Sequence, residues 1–594
     1  MQISKLYSNF KNHFHDIEFN ENSINVIYAD ITDPENYDKD THNLGKTTLI
    51  DLIDFMLLKK RTDENFLFKH YALFKNYVFY IELRLPSRSK YLTIRRAVNS
   101  HTKISFFEHD SRNQDFSDEI MDIWSYTDVP LNKAKTILDA YLSFRVIKPW
   151  SYRTGLPYFL RSQHDYQDVF QPNQYKGKHK DWKPYLIQIL GFDGQQMERT
   201  YDIDDDIHDV ESQIRLERRE FPGTIDSIDK LNGKILVIDN EICNIESSFD
   251  SFNFKEIDER ISDELVTKID TSIAALNEIR YSMNTEAEKI KKQLELDCVE
   301  DVNKTKKVFE DASFYFSDQL INDYNKLVEF NRKITTDRKR FLSTRHSSLM
   351  AELQSINEDL SRFNEERQEA LSILKETNTG RRMKAYQKQL IELKTQRELL
   401  ERMKELILKL EALEKRIKEL KTERSNTVDS IEQQIKIGNR TYNEIRMCFS
   451  NAVKEVLGEE AIISITKNKN DNFEFEAEIV DTGRITSLSR GTSYKQVLCA
   501  MFDLSVLQVY ANQPFFKFVY HDGILEGLDD RKKIQLLNYV KRVCVESGIQ
   551  YIITVIASDW PHDASYEYTL DNDDIVLKLH DKDSSGRLFN MPVF

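Results

Sequence analysis

No apolar run of 18 residues occurs anywhere in this chain of 594 residues, so nothing in it reads as a membrane span. Cysteine is scarce: Cys243, Cys298, Cys448, Cys499 and Cys544 lie far apart, with no CxxC pair. That excludes a disulfide framework and a cysteine-ligated zinc site. It fits a chain kept reduced in the cytoplasm, its thiols buried as small apolar groups. The opening residues, Met1-Gln2-Ile3-Ser4-Lys5-Leu6, lack a secretory pattern and read as a strand. Net positive charge is missing too. The formal net charge of −15 argues against a general polyanion binder, although a basic patch can sit on an acidic protein. Proline disappears between Pro222 and Pro514, where helices can therefore run long. At this length one core is too few, and two or more structural units are expected.

The chemistry-bearing stretch is Asn43-Leu44-Gly45-Lys46-Thr47-Thr48. An apolar run before it, Ile24 to Tyr28, reads as a strand, and Leu49 to Met56 after it reads as a helix. Strand, Gly-Lys-Thr, helix is the context of a phosphate-binding loop. There, backbone N–H groups and a helix N-terminus hold phosphate oxygens, Lys46 neutralises charge and the Thr47 hydroxyl reaches Mg2+. The loop is incomplete, because Asp40 stands where the full pattern has its first glycine.

Up to about residue 200 the pattern is mixed α/β. Strands are expected at Ile3–Leu6, Ile17–Phe19, Ile24–Tyr28, Tyr77–Leu85, Tyr91–Arg96 and Ile104–Glu108. Arg95-Arg96 reads as a solvated strand end or as a contact to nucleotide or nucleic acid. The stretch Tyr175 to Lys183 reads as a solvated loop or as a contact to phosphate backbone. Gln163 follows an apolar strand end, a place from which it can reach Mg2+ or an attacking water.

Over 202–440 apolar residues fall at helical spacing. Leu349, Leu353, Ile356, Leu360 and Phe363 form one seam, and Leu399, Met403, Leu406, Leu410, Leu413, Ile417 and Leu420 another. An antiparallel coiled coil is expected there, its tip near 311–321 at the cluster Phe309, Phe314, Tyr315 and Phe316. Interruptions are expected at Phe221-Pro222-Gly223, Ser247 to Ser251 and Thr377 to Gly380. Bases at Arg332, Lys333, Arg338, Lys339, Arg340 and Arg345 read as an ordinary helical face or as a nucleic-acid contact. After 441 the α/β character returns, with a hairpin over Ala461–Thr466 and Phe473–Val480. Ser489-Arg490-Gly491 then opens an apolar helix, an anion-binding arrangement or a plain cap. The strand Phe515 to Asp522 ends in an acid suited to Mg2+, Leu528-Asp529 follows, and Tyr551 to Ile556 is another buried strand.

In this order the motifs resemble those of SMC-like ATPases, and the opening Lys5 to Lys11 is similar to the first strand and turn of SMC, RecF and RecN heads. The resemblance implies an α/β ABC-type ATPase head assembled from residues 1–201 and 441–594, with the coil of 202–440 inserted between them. It implies ATP and Mg2+ as cofactors. It places Asn43, Gly45, Lys46, Thr47, Thr48, Ser489, Gly491 and Asp529 on the nucleotide, and Thr47, Gln163 and Asp522 on the metal. Asp522, Gln163 and Glu526 would be catalytic. Gly523 stands where the family has its catalytic Glu, Arg490 replaces a usual glycine, and Ala557-Ser558-Asp559 stands where a His is usual; Glu526 would supply the base from about one helical turn later. The short motifs also look like the coiled-coil subunit of Lamassu-type antiphage systems. That narrower resemblance implies a cytoplasmic homodimer joined through its heads, acting on DNA with a nuclease effector and a small accessory subunit. A RecN-like repair ATPase and a structural coiled-coil protein with a nucleotide-free head are the rival readings.

Overall fold

The computed structural model describes residues 1–30, 44–119, 123–219, 227–250, 263–295, 318–372, 378–481, 484–485, 491–561 and 572–592. The chain divides into two compact units, one of residues 1–209 and 418–594, the other of 210–417.

The first unit is mixed α/β. Its amino-terminal segment forms β1 (Gln2–Ser8), β2 (Ile17–Glu18), β3 (Ile24–Asp30), β4 (Val78–Leu85), β5 (Lys90–Ala97), β6 (Lys103–His109), β7 (Tyr126–Pro130) and β8 (Leu160–Arg161). Interspersed are α1 (Lys46–Met56), α2 (Leu131–Leu142), α3 (Tyr152–Phe159), α4 (His179–Ile189) and α5 (Gly194–Arg219). All six strands expected in this segment are present, because their Val, Ile, Tyr and Phe residues suit a pleated, half-buried surface. Six of the strands form an antiparallel sheet in the order β2-β1-β4-β5-β6-β7.

The carboxyl-terminal segment adds α10 (Arg440–Leu457), β9 (Glu460–Lys467), β10 (Phe473–Asp481), β11 (Arg484–Ile485), α11 (Thr492–Val509), β12 (Phe518–Asp522), α12 (Asp530–Ser547), β13 (Gln550–Ile556) and β14 (Ile575–His580). The expected hairpin is β9–β10, joined by β11. The second major sheet combines both segments. It runs β14-β3-β13-β12-β8, and every pairing in it is parallel. Strands from opposite ends of the sequence thus share one sheet, apolar on both faces, as parallel sheets require. Gln550 ties the two segments further: its side chain accepts from Ile3 N (2.9 Å) and donates to Ile3 O (2.7 Å). Phe589 nests among Phe14, Phe74 and Phe79.

The second unit holds the end of α5, then α6 (Ile228–Asp250), α7 (Asp263–Glu295), α8 (Asp318–Ser372) and most of α9 (Asn378–Ile437). The apolar seam of α8 is buried as its spacing predicts: Leu349, Leu353, Ile356 and Leu360 are all inside. Ile356 and Leu360 meet Ile269 and Ile273 of α7. Ion pairs across the helices give their directions. Glu286–Arg345 (3.1 Å) and Asp270–Arg367 (3.0 Å) make α7 and α8 antiparallel. Asp239–Arg397 (2.6 Å) and Glu246–Lys394 (3.0 Å) make α6 and α9 antiparallel. Glu278 meets Arg402 at 2.6 Å, and the Asp270 carboxyl feels the charge of Lys394. The step from Asp270 to Glu278 is matched by the step from Lys394 to Arg402, so α7 runs parallel to α9. It follows that α6 and α7 run in opposite directions. The change of direction comes after α6 ends at Asp250 and before α7 begins at Asp263, beside the interruption expected over Ser247 to Ser251; the amphipathic stripe itself reports which face is buried and is blind to the direction of the partner helix.

The expected tip and its aromatic cluster lie outside the described residues, apart from the start of α8, as do Phe221-Pro222-Gly223 and Cys298. The helix α6 ends at Asp250, inside the interruption expected over Ser247 to Ser251. Of the described thiols, Cys499 and Cys544 are buried, while Cys243 is exposed, contrary to expectation. No described helix is long and apolar enough to cross a membrane.

Leu360→Ala removes a 3%-exposed side chain from the α7–α8 seam and is expected to cost about 2–5 kcal/mol, read as a lowered midpoint in helix melting by circular dichroism.

Candidate functional site

In a parallel sheet all carboxyl ends lie on one edge, and ligands bind outside that edge. Here the edge receives the residues leading into α1 after β3, Gln163 after β8, Asp522 at the end of β12 and Ala557 after β13.

Gly45 precedes the first turn of α1 with φ +103° and ψ 13°, a left-handed conformation open to glycine at low cost. A Cβ there would come within 2.7 Å of Leu588 Cβ. The close approach is held by Leu588 N donating to Leu44 O at 3.1 Å. No side chain caps α1, so the amides of its first turn point outward at a positive dipole end, the arrangement that takes an anion. Lys46 is buried, Thr48 half-buried and Thr47 exposed.

The other end of α1 is tied down by cations. Arg96 donates to Phe55 O and lies 3.8 Å from the Phe55 ring. Arg153 and Tyr152 donate to Leu57 O at 3.2 and 3.1 Å. Arg153 also pairs with Asp54 at 2.6 Å. Cations at a helix carboxyl end complement its dipole. Arg96 is thus neither a solvated strand end nor a ligand contact but a buried prop for the helix that carries Lys46. The stretch Tyr175 to Lys183 is in part structural as well: Trp182 and Lys183 are buried, and Lys183 donates to Phe473 O at 2.6 Å.

Asp522 is 1% exposed. Thr47 Oγ1 donates to its Oδ2 at 3.3 Å, and Thr554 Oγ1 donates to its Oδ1. Burial pushes the Asp522 carboxyl above its usual value, against the Thr554 bond, the Lys46 charge and the Thr47 bond, which favour ionisation. A buried acid so placed gains from a divalent cation, which would restore its charged form. A hydroxyl, a carboxylate and an amide oxygen form the hard donor set that Mg2+ takes, and Lys46 beside them suits a phosphate.

Gln163 lies in a 3-10 turn, Gln163–Gln167, closed by reciprocal bonds between Ser162 and Asp165. Its Nε2 donates to Glu526 Oε1 at 2.6 Å. The two side chains meet over Gly523, whose φ is +66° and whose added Cβ would lie 2.7 Å from both. The carboxylate absent from position 523 therefore has a spatial counterpart in Glu526, and Gly523 makes the room for it. Gly523 N donates to Thr554 Oγ1 at 3.1 Å.

Gly491 caps α11 with no side-chain bond, whereas Ser489 and Asn43 lie outside the described residues. In α11, Ser493 Oγ donates to Gly527 O at 3.1 Å, joining this helix start to the loop after Glu526. Asp529 is the exposed cap of α12, accepting from Arg531 N at 3.1 Å, a local duty.

Two residues escaped the sequence reading. Thr554 supports both Asp522 and Gly523. Asp503 of α11, 0% exposed, joins Arg161 and His521 beneath the site. Each has a signal: Thr554 is a polar residue inside an apolar strand, and Asp503 is the one charge in α11 after Lys495.

Comparison with known proteins gives likeness without a role. A family described as "Uncharacterised protein conserved in bacteria (DUF2326)" matches residues 450–593. "Uncharacterized protein YydD" of Bacillus subtilis (strain 168) is 21% identical over 573 residues, covering 91% of this chain and 90% of that protein. Among solved structures, the Smc head domain with a coiled coil and joint from Pyrococcus yayanosii is 14% identical with a TM-score of 0.31, covering 93% of this chain and 92% of that one. An SmcHead bound to the C-winged helix domain of ScpA is 10% identical with a TM-score of 0.33, covering 93% and 90%. At such scores no residue here takes a role from those structures.

Gly523→Ala should force a side chain into a left-handed residue and against the Gln163–Glu526 contact. A loss of about 1–3 kcal/mol in denaturant unfolding of the first unit is expected; an unchanged midpoint would mean that the contact yields freely.

Proposed function

We propose that the chain is a cytoplasmic, Mg2+-dependent, SMC-like ATPase that works on DNA. The observation that carries the nucleotide reading is the hydrogen bond from Thr47 to Asp522, residues 475 positions apart that meet at the carboxyl edge of one parallel sheet. The residues have separate tasks. The Gly45 backbone and the open first turn of α1 hold phosphate oxygens, with Lys46 neutralising their charge. Thr47, Asp522 and the amide oxygen of Gln163 hold Mg2+. Glu526 takes the proton of the attacking water, Gln163 keeping its carboxylate in place. When bound, Mg2+ offsets charge on the transferred phosphoryl group.

The start of α11 is not needed to complete this half-site. In a head-to-head homodimer, Ser489 and Gly491 of a second copy would meet the γ-phosphate through that helix N-terminus, with Asp529 on the facing loop. Nucleotide state would then set the geometry of the dimer, and the coil would convey it to DNA. A nuclease effector and a small accessory subunit, as in Lamassu-type defence, are the partners this reading takes; a RecN-like repair ATPase would have no effector.

A second reading is favoured by two features of the sequence. Gly523 follows Asp522 directly, and Ala557-Ser558-Asp559 follows β13, so the head would bind ATP and not turn it over. Measurement of turnover, with linear and with circular DNA, separates the two.

Lys46→Ala should weaken ATP roughly 10- to 100-fold in an equilibrium assay; normal binding would sink the site. Glu526→Gln should keep binding and lower turnover by about 10²- to 10⁴-fold. Unchanged turnover would remove Glu526 from the chemistry.

A further inference from the structure

β8 has only two residues and lies at the edge of the parallel sheet. It meets β12 through two pairs, Leu160 with Tyr520 and Arg161 with His521. So short a ladder specifies its register weakly, and a slip of one residue would turn every side chain to the other face. Gln163 follows this strand and Asp522 ends its neighbour, so the slip would part them.

A buried network spans that weak point. Asp503 of α11 accepts from Arg161 Nε at 2.6 Å and from Arg161 Nη2 at 2.9 Å. It is also 3.1 Å from His521 Nε2. Arg161 and His521 are the very pair in register between β8 and β12. All three side chains are 0% exposed. With the Asp503 oxygens accepting from Arg161, a neutral His521 donates to Asp503 from Nε2 and accepts on Nδ1 from the Tyr551 O–H at 2.8 Å. Arg161 also donates to Asp165 O at 3.0 Å and to Val169 O at 2.7 Å, gripping the turn on which Gln163 rides.

Stability is a poor reason for such a network. Desolvating the charges offsets much of their attraction, and apolar replacements of equal volume are often neutral or stabilising. What apolar groups cannot supply is direction.

We propose that Asp503 is a positioning residue: through Arg161 and His521 it pins the register of β8 on β12 and so sets Gln163 against Asp522. The proposal rests on the ATPase reading for its consequence and on the hydrogen bonds of Arg161, Asp503 and His521 for its geometry.

The test uses the full chain carrying Arg161→Met, Asp503→Leu and His521→Phe together, which replaces the network by apolar groups. Three readouts are taken: the melting temperature, amide hydrogen exchange over 160–169 without nucleotide, and the Mg2+ dependence of binding of a fluorescent ATP analogue. The expected result is melting like the parent, exchange over 160–169 at least tenfold faster, and half-saturation at tenfold or more Mg2+, with binding in EDTA unchanged. Parental exchange and parental Mg2+ dependence in a variant that melts like the parent would overturn the proposal. If the triple variant fails to fold, His521→Phe alone decides, with about threefold changes expected in both readouts and none overturning it. Should the parent bind no nucleotide, the ATPase reading fails, and the exchange measurement still judges the register.

Discussion

Parallel pairing is the constraint on which the first unit depends. β3 lies between β14 and β13, so a strand from the first thirty residues is hydrogen-bonded on both sides by strands from the last fifty. β12 and β8 continue the sheet in the same direction. One direction means one carboxyl edge, and that edge gathers Lys46, Thr47, Gln163, Asp522 and Glu526. Antiparallel insertion of any of these strands would send its residue to the opposite edge, some strand-length away.

The site is built from polar residues that the surrounding apolar elements would otherwise reject. Asp522, Thr554, Asp503, His521 and Arg161 are all buried, and each is satisfied by another of the set or by backbone. An unsatisfied member would cost about 1–3 kcal/mol, so the cluster stands or falls as a group. Gly523 belongs to the same design. By omitting a side chain it lets Gln163 and Glu526 meet over the backbone, which moves a carboxylate to this place from a position three residues further on.

The second unit obeys a looser rule. Its seams bury Leu349, Leu353, Ile356 and Leu360 as expected, because a stripe at helical spacing must be covered by something. Direction comes from charge. Asp270 and Glu278 meet Lys394 and Arg402 in the same order, while Asp270 and Glu286 meet Arg367 and Arg345 in reversed order, so α7 is parallel to one neighbour and antiparallel to the other. Surface pairs contribute little energy, yet they record a path that the apolar pattern leaves open.

The strands of the first segment, the hairpin β9–β10, the helical character of the described residues between 202 and 437 and the Gly45-Lys46-Thr47 turn ahead of a helix were legible in the residues, since each depends on local periodicity or on chemistry within a few positions; the meeting of Thr47 with Asp522 followed only from the resemblance. Arg96 as a prop for α1, Thr554 on Asp522, the meeting of Gln163 with Glu526 and the opposed directions of α6 and α7 were not. These depend on which element becomes the neighbour of which, and an isolated Arg, Thr or Glu is chemically the same whether it faces water or a buried carbonyl. Tertiary structure decided them because burial turns an ordinary polar group into one that must find a partner, and only the packed chain determines who that partner is.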